Sequence, residues 1–242
     1  MANERAKIAT GRTRAAIAFA AACLIAAAAA IAWPGGAGSA PLRIVVLGKT
    51  SDPPRPTERQ ATGRVTGFQS LSAGTIKPFK APYAGKIISW SITLSKVRKA
   101  DGAFFDDLFG SPAEARIGVL KEVPDAHPKT FKLVRQSPTE TLNPYFGQTV
   151  HFALDHPLTV LEDQVVALTI PTWAPTLAVD IGSDTAWRAS RLPDKCGETP
   201  DQARVELPAG HPQQKVKSKK VYACYYRGSR LLYTATLVKK PS

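Results

Sequence analysis

From Lys86 to Leu94 the side chains alternate, with Ile88, Trp90, Ile92 and Leu94 apolar and Ser89, Ser91 and Thr93 between them. A period of two puts alternate residues on opposite faces of a strand, so this stretch is predicted to bury one face and wet the other. The pattern recurs in Gln148 to Leu154, where Val150, Phe152 and Leu154 oppose Thr149 and His151, and in Leu231 to Leu237, where Leu231, Tyr233, Ala235 and Leu237 alternate with Leu232, Thr234 and Thr236. Further strands are expected at Arg43 to Leu47, Arg64 to Ser70, Ala115 to Lys121, Thr130 to Gln136, Gln164 to Ile170 and Lys219 to Tyr226. Short strands at this spacing predict an all-β fold, an antiparallel β-sandwich.

Turn chemistry agrees. Arg227-Gly228-Ser229-Arg230 is expected to close a short hairpin, and Glu162-Asp163-Gln164 to lead into the run that follows. Twenty prolines and seventeen glycines argue against long helices. One helical turn is expected at Asp101 to Gly110, where Phe104, Phe105, Leu108 and Phe109 share a face before Pro112, capping one end of the sandwich. Lys49 to Arg59 is rich in proline and polar groups, so the strand before it belongs either to a separate sheet edge or to a tether.

Residues Ala15 to Trp33 form an uncharged apolar run of 19, preceded by Arg5, Lys7, Arg12 and Arg14 and followed by Pro34-Gly35-Gly36-Ala37-Gly38-Ser39-Ala40. A basic leader, an apolar stretch and a small-residue exit make an export signal, with the remainder of the chain outside the plasma membrane. The run is longer than a usual cleaved signal and close to the roughly 20 residues that span a bilayer, so a cleaved leader and a retained anchor both stand. The division expected is 1–40 signal peptide or membrane anchor, 41–62 strand and Pro-rich linker, and 63–242 β-sandwich. Cys23 reads as a small apolar residue within the run, not as a lipidation site.

Beyond the leader the cysteines are Cys196 and Cys224. Neither belongs to a CxxC motif or has a histidine at ligand spacing, so in an oxidising compartment they are expected to pair as a disulfide.

Formal net charge is +13, but it is concentrated. Residues 210–242 hold Lys215, Lys217, Lys219, Lys220, Arg227, Arg230, Lys239 and Lys240 with no acid, whereas 41–209 are near balance. In extended chain Lys215, Lys217 and Lys219 share a face with Arg227 further along, and Tyr222, Tyr225 and Tyr226 are interleaved. Lys215, Lys217, Lys219, Lys220 and Arg227 are therefore the candidate contacts for a polyanion such as an anionic wall polymer, lipid headgroups or extracellular nucleic acid. The competing reading is a set of lysines that keep an edge strand from pairing with a neighbour. Nucleic acid is the weaker partner, because no aromatic-rich nucleic-acid module is present.

Candidate catalytic chemistry is sparse. His127, His156 and His211 each precede proline and His151 lies on the polar face of its strand, so the histidines read as surface groups. Asp106-Asp107 lacks the regular oxygen spacing of a calcium loop, and no Gly-x-Ser-x-Gly or phosphate-binding glycine loop occurs. No metal or cofactor is called for. Trp173, Trp187 and Tyr145 are candidates for stacking on sugar rings, set against the commoner role of such residues as core.

The segments Gly63 to Gln69 (GRVTGFQ), Ile88 to Leu94 (ISWSITL), Asn143 to Gln148 (NPYFGQ), Val165 to Val179 (VVALTIPTWAPTLAV) and Ser183 to Arg191 (SDTAWRASR) resemble exported proteins of high-GC Gram-positive bacteria with no known activity. The resemblance spans nearly all of the chain beyond the leader and implies a secreted sandwich of jelly-roll type. It also implies cysteines just ahead of the VTGFQ-like segment, which this chain lacks. The function expected is an exported, non-catalytic envelope or extracellular module, with a glycan or anionic polymer as partner. A secreted enzyme is the alternative, distinguished by titratable groups converging in a pocket.

Overall fold

A computed structural model describes residues 42–197 and 213–239. The leader, with Cys23, and His211 lie outside the described residues. Strands β1 (Ile44–Leu47), β2 (Thr62–Ser72), β3 (Thr75–Ile76) and β4 (Gly85–Thr93) precede α1 (Lys99–Phe109). Then come β5 (Glu114–Glu122), β6 (Thr130–Gln136), β7 (Glu140–Thr141), β8 (Thr149–Val160), β9 (Val165–Ala174), β10 (Leu177–Ala178) and β11 (Ala186–Ala189). β12 (Lys219–Val221), β13 (Cys224–Arg227), β14 (Arg230–Leu231) and β15 (Tyr233–Lys239) complete the order.

The fold is all-β and antiparallel. A smaller sheet runs β1-β15-β4-β8, and a larger one runs β12-β6-β5-β9-β2-β11-β13, with β3 added to β2 and β7 to β5; β10 and β14 form a two-stranded ribbon. The ends of the larger sheet, β12 and β13, are separated in sequence only by Tyr222 and Ala223. The step from Val221 to Cys224 spans at most about 11 Å, so this sheet cannot lie flat and must curl until its two ends approach. Phe68 of β2, Phe131 of β6 and Tyr222 fill the curl, their ring centroids 5.0 to 5.6 Å apart.

The sheets share one core. Tyr233 of β15 stacks on Phe79 at 4.1 Å and its buried hydroxyl donates to the Val166 carbonyl of β9 at 3.0 Å, tying the small sheet to the large one. Burial holds that phenol well above the usual tyrosine range. Gly48, at φ +76°, lets the chain turn hard against the Phe79 ring, where a Cβ would clash.

Alternation holds in β15, where Tyr233, Ala235 and Leu237 are buried, and slips in β4. A bulge between Ile87 and Ser89 turns Ile87 inward and leaves Ile88 37% exposed, after which Trp90, Ile92 and Leu94 are buried as expected. Arg227 to Arg230 does not close a hairpin of paired strands. β13 pairs with β11, β14 pairs with β10, and the turn carries the chain toward the small sheet. The run Lys219 to Tyr226, read as one strand, is two strands with different partners. β1 is an edge strand of the small sheet, and the Pro-rich stretch after it is held to the body through Thr57, whose N–H donates to the Leu177 carbonyl at 2.9 Å. α1 buries Phe105, Leu108 and Phe109, whereas Phe104 is 39% exposed.

Candidate basic surface

Cys196 and Cys224 form the expected disulfide, which joins the chain after β11 to β13. Around it the cations are engaged. Arg188 donates to the Tyr222 carbonyl at 3.2 Å, and both Arg188 and Arg227 lie over the Tyr225 ring, at 4.7 and 5.2 Å. Arg191 donates to the Tyr226 hydroxyl and the Gly197 carbonyl, each at 3.1 Å. Arg230 is buried and donates to the Gly48 carbonyl at 2.7 Å and to Thr50 Oγ1 at 3.0 Å, and burial lowers its pKa.

The other end of the curled sheet is different. Register places Lys132 of β6 directly opposite Lys121 of β5 on one side and Lys219 of β12 on the other. Directly opposed residues share a face, with Cβ atoms about 4.5–5.5 Å apart. Lys121, Lys132 and Lys219 thus form a row across three neighbouring strands, and all three are exposed. The alternating residues Leu120, Phe131 and Leu133 are buried, which is why the lysines point outward. Among the described residues no ion pair or hydrogen bond to any of the three side chains is found; Glu122, next along β5, is bound by Lys129. Lys217 is exposed beside this row, with its N–H donating to the Leu133 carbonyl.

Of the residues singled out for a polyanion, Lys215, Lys217 and Lys219 are exposed, and Lys220 is half-buried with its pKa lowered by burial and then by Lys215. Arg227 is exposed but belongs to β13, at the opposite end of the strand order from Lys219. Lys121 and Lys132 escaped sequence reasoning because their alignment with Lys219 is a matter of strand register, which no local pattern carries.

The residues proposed for glycan stacking are not brought together as a platform. Trp173 is 0% exposed, packed between Phe105 and Phe146, with its indole N–H donating to Asp106 at 2.8 Å. Trp187 is 3% exposed, stacked on Tyr226 at 4.7 Å, with its indole N–H donating to Ser229. Tyr145 is half-buried, edge-on to Phe152. The two indoles offer no open ring face to a sugar. Asp106, one half of the acidic pair weighed for calcium, is thus the acceptor that seats Trp173.

Trp187 and Tyr226 help line a cleft of about 520 Å³, whose wall also includes Phe104, Arg59, Arg227 and Asp180. His127, His151 and His156 are exposed, and among the described residues no group of three or more His, Cys, Asp or Glu side chains is placed to hold a metal ion. Comparisons with family models, with curated proteins and with solved structures find no match for this chain.

Proposed function

We propose that this protein is an exported, non-catalytic module of the cell envelope or the extracellular space. It reaches that place through the apolar segment Ala15 to Trp33, an export signal that is either cut or kept as an anchor. The observation that carries the reading is the Cys196–Cys224 disulfide, because such bonds persist in oxidising compartments and are rare where thiols are kept reduced. The cross-link also suits a module that must survive outside the cell, since it restricts the unfolded chain.

The test is fractionation of the producing cells combined with thiol counting. Recovery in the envelope or the medium, with Cys196 and Cys224 unreactive to an alkylating agent until reduction, is the expected result. Full-length chain in the cytosol with both thiols free would contradict the proposal.

A further inference from the structure

We propose that the row Lys121–Lys132–Lys219 binds a linear polymer bearing phosphate groups and no nucleobases, an inference that deepens the exported-module reading and rests on it for the setting in which such a polymer is met. The argument begins with what the row costs. Like charges directly opposite each other on a sheet are destabilising, and here two such pairs, Lys121 with Lys132 and Lys132 with Lys219, stand side by side. Guarding a sheet edge accounts for Lys219, because β12 ends the larger sheet, but Lys132 lies on an interior strand, paired with β5 on one side and β12 on the other, and Lys121 follows Leu120, the last β5 residue paired with β9. Lys132, the centre of the row, therefore has no edge to protect. Solubility calls for dispersed charge, not for ammonium groups aligned across three strands.

An anion laid along the row relieves the repulsion. Lysine is a compact point charge on a flexible stem with three donors, which suits successive phosphates on a mobile chain and does not demand the planar fork that a guanidinium imposes. The register sets the direction: a bound chain runs across β5, β6 and β12, with Lys217 beside its path. The flanking positions on the strands, Thr130 and Val221, carry no ring. Binding single-stranded nucleic acid relies on aromatic platforms for its bases, and the row supplies none, so a base-free polymer fits better.

The experiment uses the full-length chain in neutral-detergent micelles at low ionic strength, with short-chain inorganic polyphosphate as probe, titrated by calorimetry. Two triple variants remove the same net charge: Lys121→Gln/Lys132→Gln/Lys219→Gln on the row, and Lys77→Gln/Lys86→Gln/Lys96→Gln elsewhere among exposed lysines. Polyphosphate is expected to bind the wild type, with affinity at least tenfold weaker in the row variant and within about twofold of wild type in the control variant. Oligo-thymidylate and poly-glutamate are expected to bind less tightly than polyphosphate of equal charge. Circular dichroism of the row variant guards against misfolding, and replacing Lys132 alone by Gln gives a milder version of the same loss. Absence of polyphosphate binding, equal weakening in both triple variants, or tighter binding of oligo-thymidylate would each overturn the proposal. None of these outcomes depends on where the protein resides, so failure here is separable from failure of the export reading.

Discussion

The two ends of the curled sheet treat positive charge in opposite ways. At the β13 end Arg188 and Arg227 cover the Tyr225 ring, Arg191 and Arg230 hydrogen-bond to hydroxyls and carbonyls, and a disulfide closes the structure. At the β12 end three lysines face each other across the strands without a carboxylate on the row. The first arrangement is what a chain does with cations when folding is the purpose. The second spends stability, and proteins keep such local costs where a surface has other work.

If the β13 end is the structural end, damage there is expected to be severe. Trp187→Ala removes a buried indole stacked on Tyr226, and about 3–5 kcal/mol of stability should disappear in urea unfolding. Replacing Cys196 and Cys224 together by Ala should cost about 3–4 kcal/mol through the freed loop. A loss below about 1 kcal/mol in either case would break the contrast between the ends.

The β12 end is expected to respond with the opposite sign. The row variant Lys121→Gln/Lys132→Gln/Lys219→Gln should be more stable than wild type by roughly 0.5–1 kcal/mol at low salt, and the gain should fade in high salt as screening replaces mutation. A net loss of stability at low salt would mean that the lysines are structural. The smallest effect is one of pH. Lys220 has its pKa lowered by burial first and by Lys215 second, so in the alkaline range the unfolded chain binds more protons at this site than the folded one. Stability contributed by Lys220 should therefore rise with pH from its lowered folded pKa up to the ordinary lysine value. Unfolding curves of wild type and Lys220→Gln across that window check this, the variant being the flatter.

Much of the fold was legible because its cause is local. The period of two marked β8 and β15, the spacing of Phe104, Phe105, Leu108 and Phe109 marked α1, and two lone cysteines marked their own bond. What escaped was set by contacts distant in sequence. Ile88 reads as inward until β8 contributes an excursion opposite it; the run from Lys219 to Tyr226 reads as one strand until β6 and β11 claim different halves. Trp173 and Trp187 look alike as platform residues, and only packing against Phe105, Phe146 and Tyr226 shows both enclosed. The basic surface was half legible: Lys219 stood in an obvious charge run, whereas Lys121 and Lys132 lay in balanced sequence and acquired meaning from register alone.

The most direct test of the aligned row is the salt dependence of polyphosphate affinity. Each lysine that meets a phosphate releases bound counterions, so the logarithm of the binding constant should fall steeply with the logarithm of salt concentration in the wild type. In the row variant the slope should be shallower by about 2, the value three lysines acting together would remove. Slopes that coincide in the two proteins would show that Lys121, Lys132 and Lys219 do not meet the polymer.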